Sequence, residues 1–222
     1  MTALENRRPL KTRGAGWAQA LARALAAAGV SPDAISALSL VFAAAGAGLF
    51  AAAAPLSGWA RSGVLIGAAV CVQLRLLANM LDGMVAVEHG RGSAAGPIWN
   101  ELPDRIADLL FLVAAGYAVQ GGYAALGPVL GWICGALAVL TAYVRELGRG
   151  LGFAADFSGP MAKPHRMAAL TATCVIAALA PLWRGFQWAL PIGLALIALG
   201  TAATVVRRTR RLASRLGARG PA

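Results

Sequence analysis

Residues 79–108 read NMLDGMVAVEHGRGSAAGPIWNELPDRIAD, a run of acids, amides and glycines set between two segments that are almost wholly apolar. Acids gathered at one place in so oily a chain need a reason, and the flanks supply the setting. With 59% hydrophobic and 13% charged residues among 222, the composition is neither that of an ordinary soluble domain nor that of a disordered chain. A helix that crosses a bilayer needs about 20 mostly apolar residues. Six stretches approach that: about 34–54, 63–81, 106–120, 124–144, 167–183 and 188–206. The third is short unless its acidic start enters the membrane. Barrel strands would alternate over segments of about ten residues, so these lengths indicate helices. The expected fold is all-α, an integral membrane bundle of six transmembrane helices. It forms a single membrane domain, 1–222, with an N-terminal segment at 1–33, the bundle at 34–206 and a basic tail at 207–222.

Basic residues give the expected orientation. If the N-terminus is inside, the inner segments hold Arg7, Arg8, Lys11, Arg13, Arg23, Arg75, Arg91, Arg105, Arg145, Arg149, Lys163, Arg166 and six arginines after Val206, which is 18 of the 20 basic residues. Only Arg61 and Arg184 fall outside. The positive-inside rule then puts both termini and the two long polar loops in the cytoplasm. Anionic lipid headgroups beside these segments account for the net charge of +11 without any nucleic acid. Cys71, Cys134 and Cys174 sit singly in three different spans, so neither a disulfide framework nor a zinc cluster is expected. About 33 residues precede the first apolar run, and that run is longer than a signal-peptide core, so it is read as a retained span.

Local signals begin before the first span. Trp17, Leu21, Leu25 and Ala28 recur at helical spacing opposite Gln19 and Arg23, the pattern of an amphipathic helix lying in the membrane interface. Ser31, Pro32 and Asp33 then supply a cap, a first helical position and a dipole-matched acid. The outer loops PLSGWARSG, GGY and LWRGFQ carry no reactive constellation, so chemistry is expected on the cytoplasmic side.

Three polar stripes end up there. Arg75, Asn79 and Asp82 share one face of the second span, and Asn100, Asp104 and Asp108 share one face of the third, with Glu101 and Arg105 beside them. Thr141, Arg145 and Arg149 repeat the pattern in the fourth, followed by a loop with Lys163, His165 and Arg166. An ionised side chain at mid-bilayer costs about 2.5 to 3.5 kcal/mol on insertion scales, so several at similar depth should face a protein cavity. Clustered carboxylates call for a hard cation with oxygen ligands, and carboxylates facing arginines and a lysine suit a metal together with a diphosphate. The glycines around Asp82 allow close backbone approach or simply mark helix ends and loops. His89 and His165 read as surface residues.

These residues resemble the CDP-alcohol phosphotransferases, six-helix membrane enzymes of phospholipid synthesis. Their pattern is DxxDGxxAR, eight residues, then GxxxDxxxD. Here the frame reads NMLDGMVAV, EHGRGSAA and GPIWNELPD, with every spacing kept. Asp82, Gly83, Ala86, Gly96 and Asp104 match; Asn79, Asn100 and Val87 stand where the family has aspartate, aspartate and arginine.

The resemblance implies that Asp104 is the base that deprotonates an acceptor hydroxyl. It also implies Mg²⁺ or Mn²⁺ held by Asp82, Asn79, Asn100 and Asp104 with help from Asp108. Gly83, Ala86, Gly96, Arg75, Arg145, Arg149 and Lys163 would serve the nucleotide and its phosphates, with Glu101 and Arg91 as auxiliaries. The implied function is transfer of a phosphatidyl group from a CDP-linked lipid, CDP-diacylglycerol first, to a small polar alcohol with release of CMP, in a bacterial cell membrane. A homodimer is implied by the family alone. The alternatives are a weakened or inactive member that binds a CDP-lipid or a partner, and a small transporter.

Overall fold

The structure, a computed structural model, describes residues 11–88, 90 and 94–219. Arg91, named above as an auxiliary, lies outside the described residues, as do Arg7, Arg8, His89 and Gly92. Among the described residues there are seven α-helices and three short 3-10 turns, with no strand. They are α1 (Gly16–Ala27), α2 (Pro32–Ala53), α3 (Gly58–Glu88), α4 (Gly96–Tyr117), α5 (Leu126–Gly150), α6 (Lys163–Ala178) and α7 (Ala189–Gly217).

The start of α2 follows its local chemistry: Ser31 Oγ accepts from the Ala34 amide at 3.1 Å, Pro32 opens the helix and Asp33 sits in the first turn. In α4 the helix runs unbroken through Pro103, although proline removes one amide donor and leaves the Trp99 carbonyl without its usual partner. That continuity carries Asn100, Asp104 and Asp108 on a single helix from its polar first half into its apolar second half.

Four stretches are long and apolar enough to cross a membrane: Pro32–Ala53, Gly58–Glu88, Leu126–Gly150 and Arg184–Gly217. The other two expected spans differ. Helix α4 has 22 residues but is laden with charge, and α6 has only 16, ending at Ala178 rather than near Trp183. At 1.5 Å per residue α6 is about 24 Å long, less than a typical hydrocarbon core of about 30 Å. Helix α7 runs past Val206 to Gly217, so the basic tail continues the last helix, and Arg208 within it is buried.

Helices α2 to α7 close into a ring in the order α2, α3, α6, α7, α5, α4 and back to α2. An apolar core fills it, built from Phe50, Leu65, Phe111, Leu112, Met167, Leu170, Leu194 and Ile197. Small residues set the closest approach, as is usual where lipid replaces water outside a bundle. A Cβ on Gly116 would lie 2.5 Å from the Gly127 carbonyl oxygen and 2.9 Å from Gly131 Cα, so α4 and α5 touch backbone to backbone. Helix α1 packs outside the ring on α3 through Ala18, Ala22 and Ala26, while Trp17 and Leu21 remain exposed. The alanine face, rather than the larger apolar one, is therefore the face that meets protein.

Arg61 departs from its expected place in an outer loop. It is buried in the first turn of α3, where its guanidinium donates to Ala53 O at 2.6 Å and Ala118 O at 2.8 Å. Ser62 Oγ donates to Ala178 O at 2.6 Å. One turn of α3 thus satisfies terminal carbonyls of α2, α4 and α6, groups that would otherwise be orphaned in an apolar setting. Gln120 adds bonds to Ala54 O and Leu56 O at 2.6 and 2.9 Å. This end of the ring is sealed by hydrogen bonds. Apart from Arg61 and Arg184, the charged residues among those described collect at the other end.

Candidate functional site

At that other end the second half of α3 and the first half of α4 face each other across a cavity of about 1080 Å³. Helix α3 contributes Asn79, Asp82, Gly83, Ala86 and Val87 to its wall, and α4 contributes Gly96, Asn100, Glu101 and Asp104. Arg145 and Arg149 come from α5, Lys163 from the start of α6 and Phe157 from the loop between them. Parts of all three helical stripes read in the sequence therefore meet at one place.

Asp104 is the electrostatic centre. Its Oδ1 pairs with Arg75, and its Oδ2 pairs with Lys163 and lies 3.3 Å from Arg105 Nη2. The Lys163 ammonium also donates to Asn79 Oδ1 at 3.0 Å, so it bridges α3 and α4. Arg75 is fully buried behind Asp104, and it does not line the cavity. Asp82 is held differently: Ser36 Oγ of α2 donates to its Oδ2 at 2.7 Å, while Oδ1 is buried without a hydrogen-bond partner. Ser36 lines the same wall and has no counterpart in the sequence reading. Its only signal was a hydroxyl three residues from Ser39 in an otherwise apolar helix.

Asp108, one turn beyond Asp104, is not brought to the cavity wall. It forms a 2.6 Å ion pair with Arg166 of α6, and both side chains are 1% exposed. Arg145 pairs with Glu101 and, at 2.8 Å, with Glu146, and Arg149 pairs with Glu146 at 2.7 Å. The Phe157 ring centroid lies 5.4 Å from the Arg145 guanidinium carbon. The loop carrying Phe157 is anchored to α7: Arg208 donates to Ser158 O at 2.9 Å and to Thr141 O at 2.7 Å, and Thr204 Oγ1 accepts from the Met161 amide at 3.0 Å.

Among the described residues no three His, Cys, Asp or Glu side chains converge closely enough to hold a metal between them. The donor set is thinner than a closed cage: Asp82 with its unpartnered Oδ1, Asp104, and the amide oxygens of Asn79 and Asn100. Mg²⁺ is commonly held by one or two carboxylates and completed by substrate phosphates and water. The residues present suit one such cation, and they do not make an all-protein cage for two.

These observations define an integral membrane protein of bundled helices with a charged cavity at one end of the ring. No family model matches the chain. Two curated relatives are both named phosphatidylinositol phosphate synthase. The Streptomyces avermitilis protein is 27% identical over 81% of this chain and 71% of its own. The Mycobacteroides abscessus protein is 27% identical over 89% of this chain and 84% of its own. Among solved structures, the phosphatidylinositol phosphate synthase of Mycobacterium tuberculosis in complex with manganese and citrate superposes with a TM-score of 0.72 at 25% identity, over 88% of each chain. The same protein with CDP-DAG bound gives a TM-score of 0.73 at 24% identity over 89% and 94%, a likeness of fold. Over most of its length the chain is thus similar in sequence and in fold to phosphatidylinositol phosphate synthases.

Proposed function

We propose that this protein is a transferase that moves a phosphatidyl group from a CDP-linked lipid, CDP-diacylglycerol, to a small polar alcohol and releases CMP. One observation carries the reading: Asp82 and Asp104, from different helices, line the same cavity as the Lys163 ammonium, a pairing of carboxylate and cation suited to a diphosphate. The names of the relatives, and the ligands bound in the solved neighbours, support it. The whole chain acts as one membrane domain with six spans, α4 and α6 crossing with the help of their neighbours. Helix α1 lies at the interface with Trp17 and Leu21 toward lipid. The distribution of lysine and arginine supports cytoplasmic termini and a cavity opening to the cytoplasm of a bacterial cell. Pairing of two copies is carried by the family resemblance alone.

Within this reading Asp82 and Asp104, with Asn79 and Asn100, would hold Mg²⁺ or Mn²⁺. A bound divalent cation offsets charge on the diphosphate and on the departing CMP. Lys163 binds phosphate oxygen directly, and Gly83, Ala86 and Gly96 leave room for the nucleotide against the backbone. Asp104 Oδ2 takes the proton from the acceptor hydroxyl as Lys163 shifts from the carboxylate to the phosphate, which frees a lone pair. Arg75, behind it, keeps the carboxylate oriented.

The experiment uses purified protein with CDP-diacylglycerol, Mg²⁺ or Mn²⁺ and a panel of alcohols, with CMP as readout. Metal-dependent CMP release that disappears in a folded Asp104→Asn variant supports the reading. No CMP with any alcohol, together with no metal-dependent nucleotide binding, points to an inactive relative. The full engagement of Asp104 by Arg75 and Lys163 is the observation that favours that second reading.

A further inference from the structure

Glu101 of α4 and Arg145, Glu146 and Arg149 of α5 line one side of the cavity, and the two arginines are already paired with the two glutamates. Arg145 is 8% exposed and lines the cavity from α5, a placement that suits an incoming anion. Its Nη2 is taken by Glu101, and its Nε donates to Glu146 at 2.8 Å. Arg149 Nη1 donates to the other oxygen of Glu146 at 2.7 Å. Arg105 adds a second cation 3.6 Å from Glu101. A phosphate dianion that reaches Arg145 stands beside the Glu101 and Glu146 carboxylates already paired with it, like charges in a partly desolvated place. A hydroxyl meets no such repulsion, because it can donate to Glu101 or Glu146 while both ion pairs stay intact.

We propose that Glu101 is a specificity-determining residue that occupies the anion-binding position at Arg145, so that the acceptor is an alcohol without a phosphate. This rests on the transferase reading and departs from the relatives, whose name puts a phosphate on the inositol lipid. A merely structural brace between α4 and α5 would hold the helices together and set no preference among acceptors. Replacing Glu101 with glutamine leaves most of the side chain's shape but removes the charge that fills the Arg145 fork.

The test has a binding arm and a turnover arm, both on the full chain in detergent. In the binding arm, glycerol 3-phosphate is titrated calorimetrically into the wild type and into Glu101→Gln. The expected result is at least a tenfold tighter association with the variant. Equal binding by the two proteins, whether strong or undetectable, overturns the proposal. In the turnover arm the wild type receives CDP-diacylglycerol with glycerol, inositol or serine, or with their phosphorylated counterparts. CMP released with the unphosphorylated alcohols supports the proposal, and CMP released with phosphorylated ones at equal or greater rate overturns it. Failure to release CMP with any acceptor refutes the transferase reading, and the binding arm then decides the role of Glu101 by itself. A variant that does not fold leaves the wild-type preference to decide.

Discussion

Asp108→Asn separates a structural acid from a catalytic one within a single helical turn. Asp108 and Arg166 form a 2.6 Å ion pair with both side chains 1% exposed, and among the described residues the further acceptor of Arg166 is Met161 O at a long 3.5 Å. Removing the charge on one partner leaves a guanidinium stranded in a dry place. At about 4 Å the lost attraction is roughly 4 kcal/mol with an effective dielectric of about 20. Measured losses on breaking buried pairs are about 3–5 kcal/mol. For a chain of this size 1 kcal/mol corresponds to about 2–4 °C, so the melting temperature in detergent should fall by roughly 6–20 °C. Replacing both partners, Asp108→Leu with Arg166→Met, should recover most of that loss, because an apolar pair of similar volume is often neutral or better. Calorimetric Mn²⁺ affinity of whatever Asp108→Asn protein folds should stay within a factor of about three. A melting temperature unchanged within 2 °C, together with a tenfold weaker Mn²⁺ affinity, would refute this reasoning and make Asp108 a metal ligand.

Asp82→Asn should weaken Mn²⁺ binding at least tenfold in the same titration with little effect on melting, since Oδ1 has no partner to lose; unaltered affinity would remove it from the donor set. Gly116→Ala should cost about 1–3 kcal/mol by forcing α4 off α5, whereas Gly63→Ala, with nothing within 4 Å of the new methyl, should be neutral or gain about 0.5–1 kcal/mol, as thermal melts would show. Asp156, in the loop before α6, is opposed by burial, yet the hydrogen bonds from Ser158 and the charges of Arg208 and Arg211 prevail and hold its carboxyl below the usual 3.8. Because the folded form binds its proton more weakly than the unfolded one, the stabilisation is present above pH 3.8 and is lost as the pH falls through the folded value. Intrinsically corrected hydrogen exchange across residues 153–161 should therefore quicken on acidification, and Asp156→Asn should show the same increase already at neutral pH.

What could be read from the sequence was local or periodic. Ser31, Pro32 and Asp33 announce the start of α2 because capping involves only neighbours in the chain. The polar stripes through Asp82 and Asp104 follow from a period of 3.6 and therefore survive any arrangement of the helices. Partners contributed by other helices were hidden. Asp104 and Asp108 lie on one stripe and read alike, yet Lys163 draws the first to the cavity wall and Arg166 holds the second away from it, and both cations come from α6. Ser36 reaches Asp82 across 46 residues, and Arg61 reaches Ala118 across 57. Neither spacing leaves a pattern in a single sequence. Arg208 was read as one of several tail arginines, although it ties α7 to α5 and to the loop before α6.

The backbone contact of Gly116 with Gly127 and Gly131 has a mechanical consequence. Side chains that interdigitate can slide by changing rotamer, but two bare backbones in contact have nothing left to rearrange. Helices α4 and α5 are therefore pinned near the sealed end, like the arms of a pair of tongs. Any spreading that admits a bulky headgroup between Glu101 and Arg145 has to swing about that pin, and the displacement is greatest where the chemistry takes place.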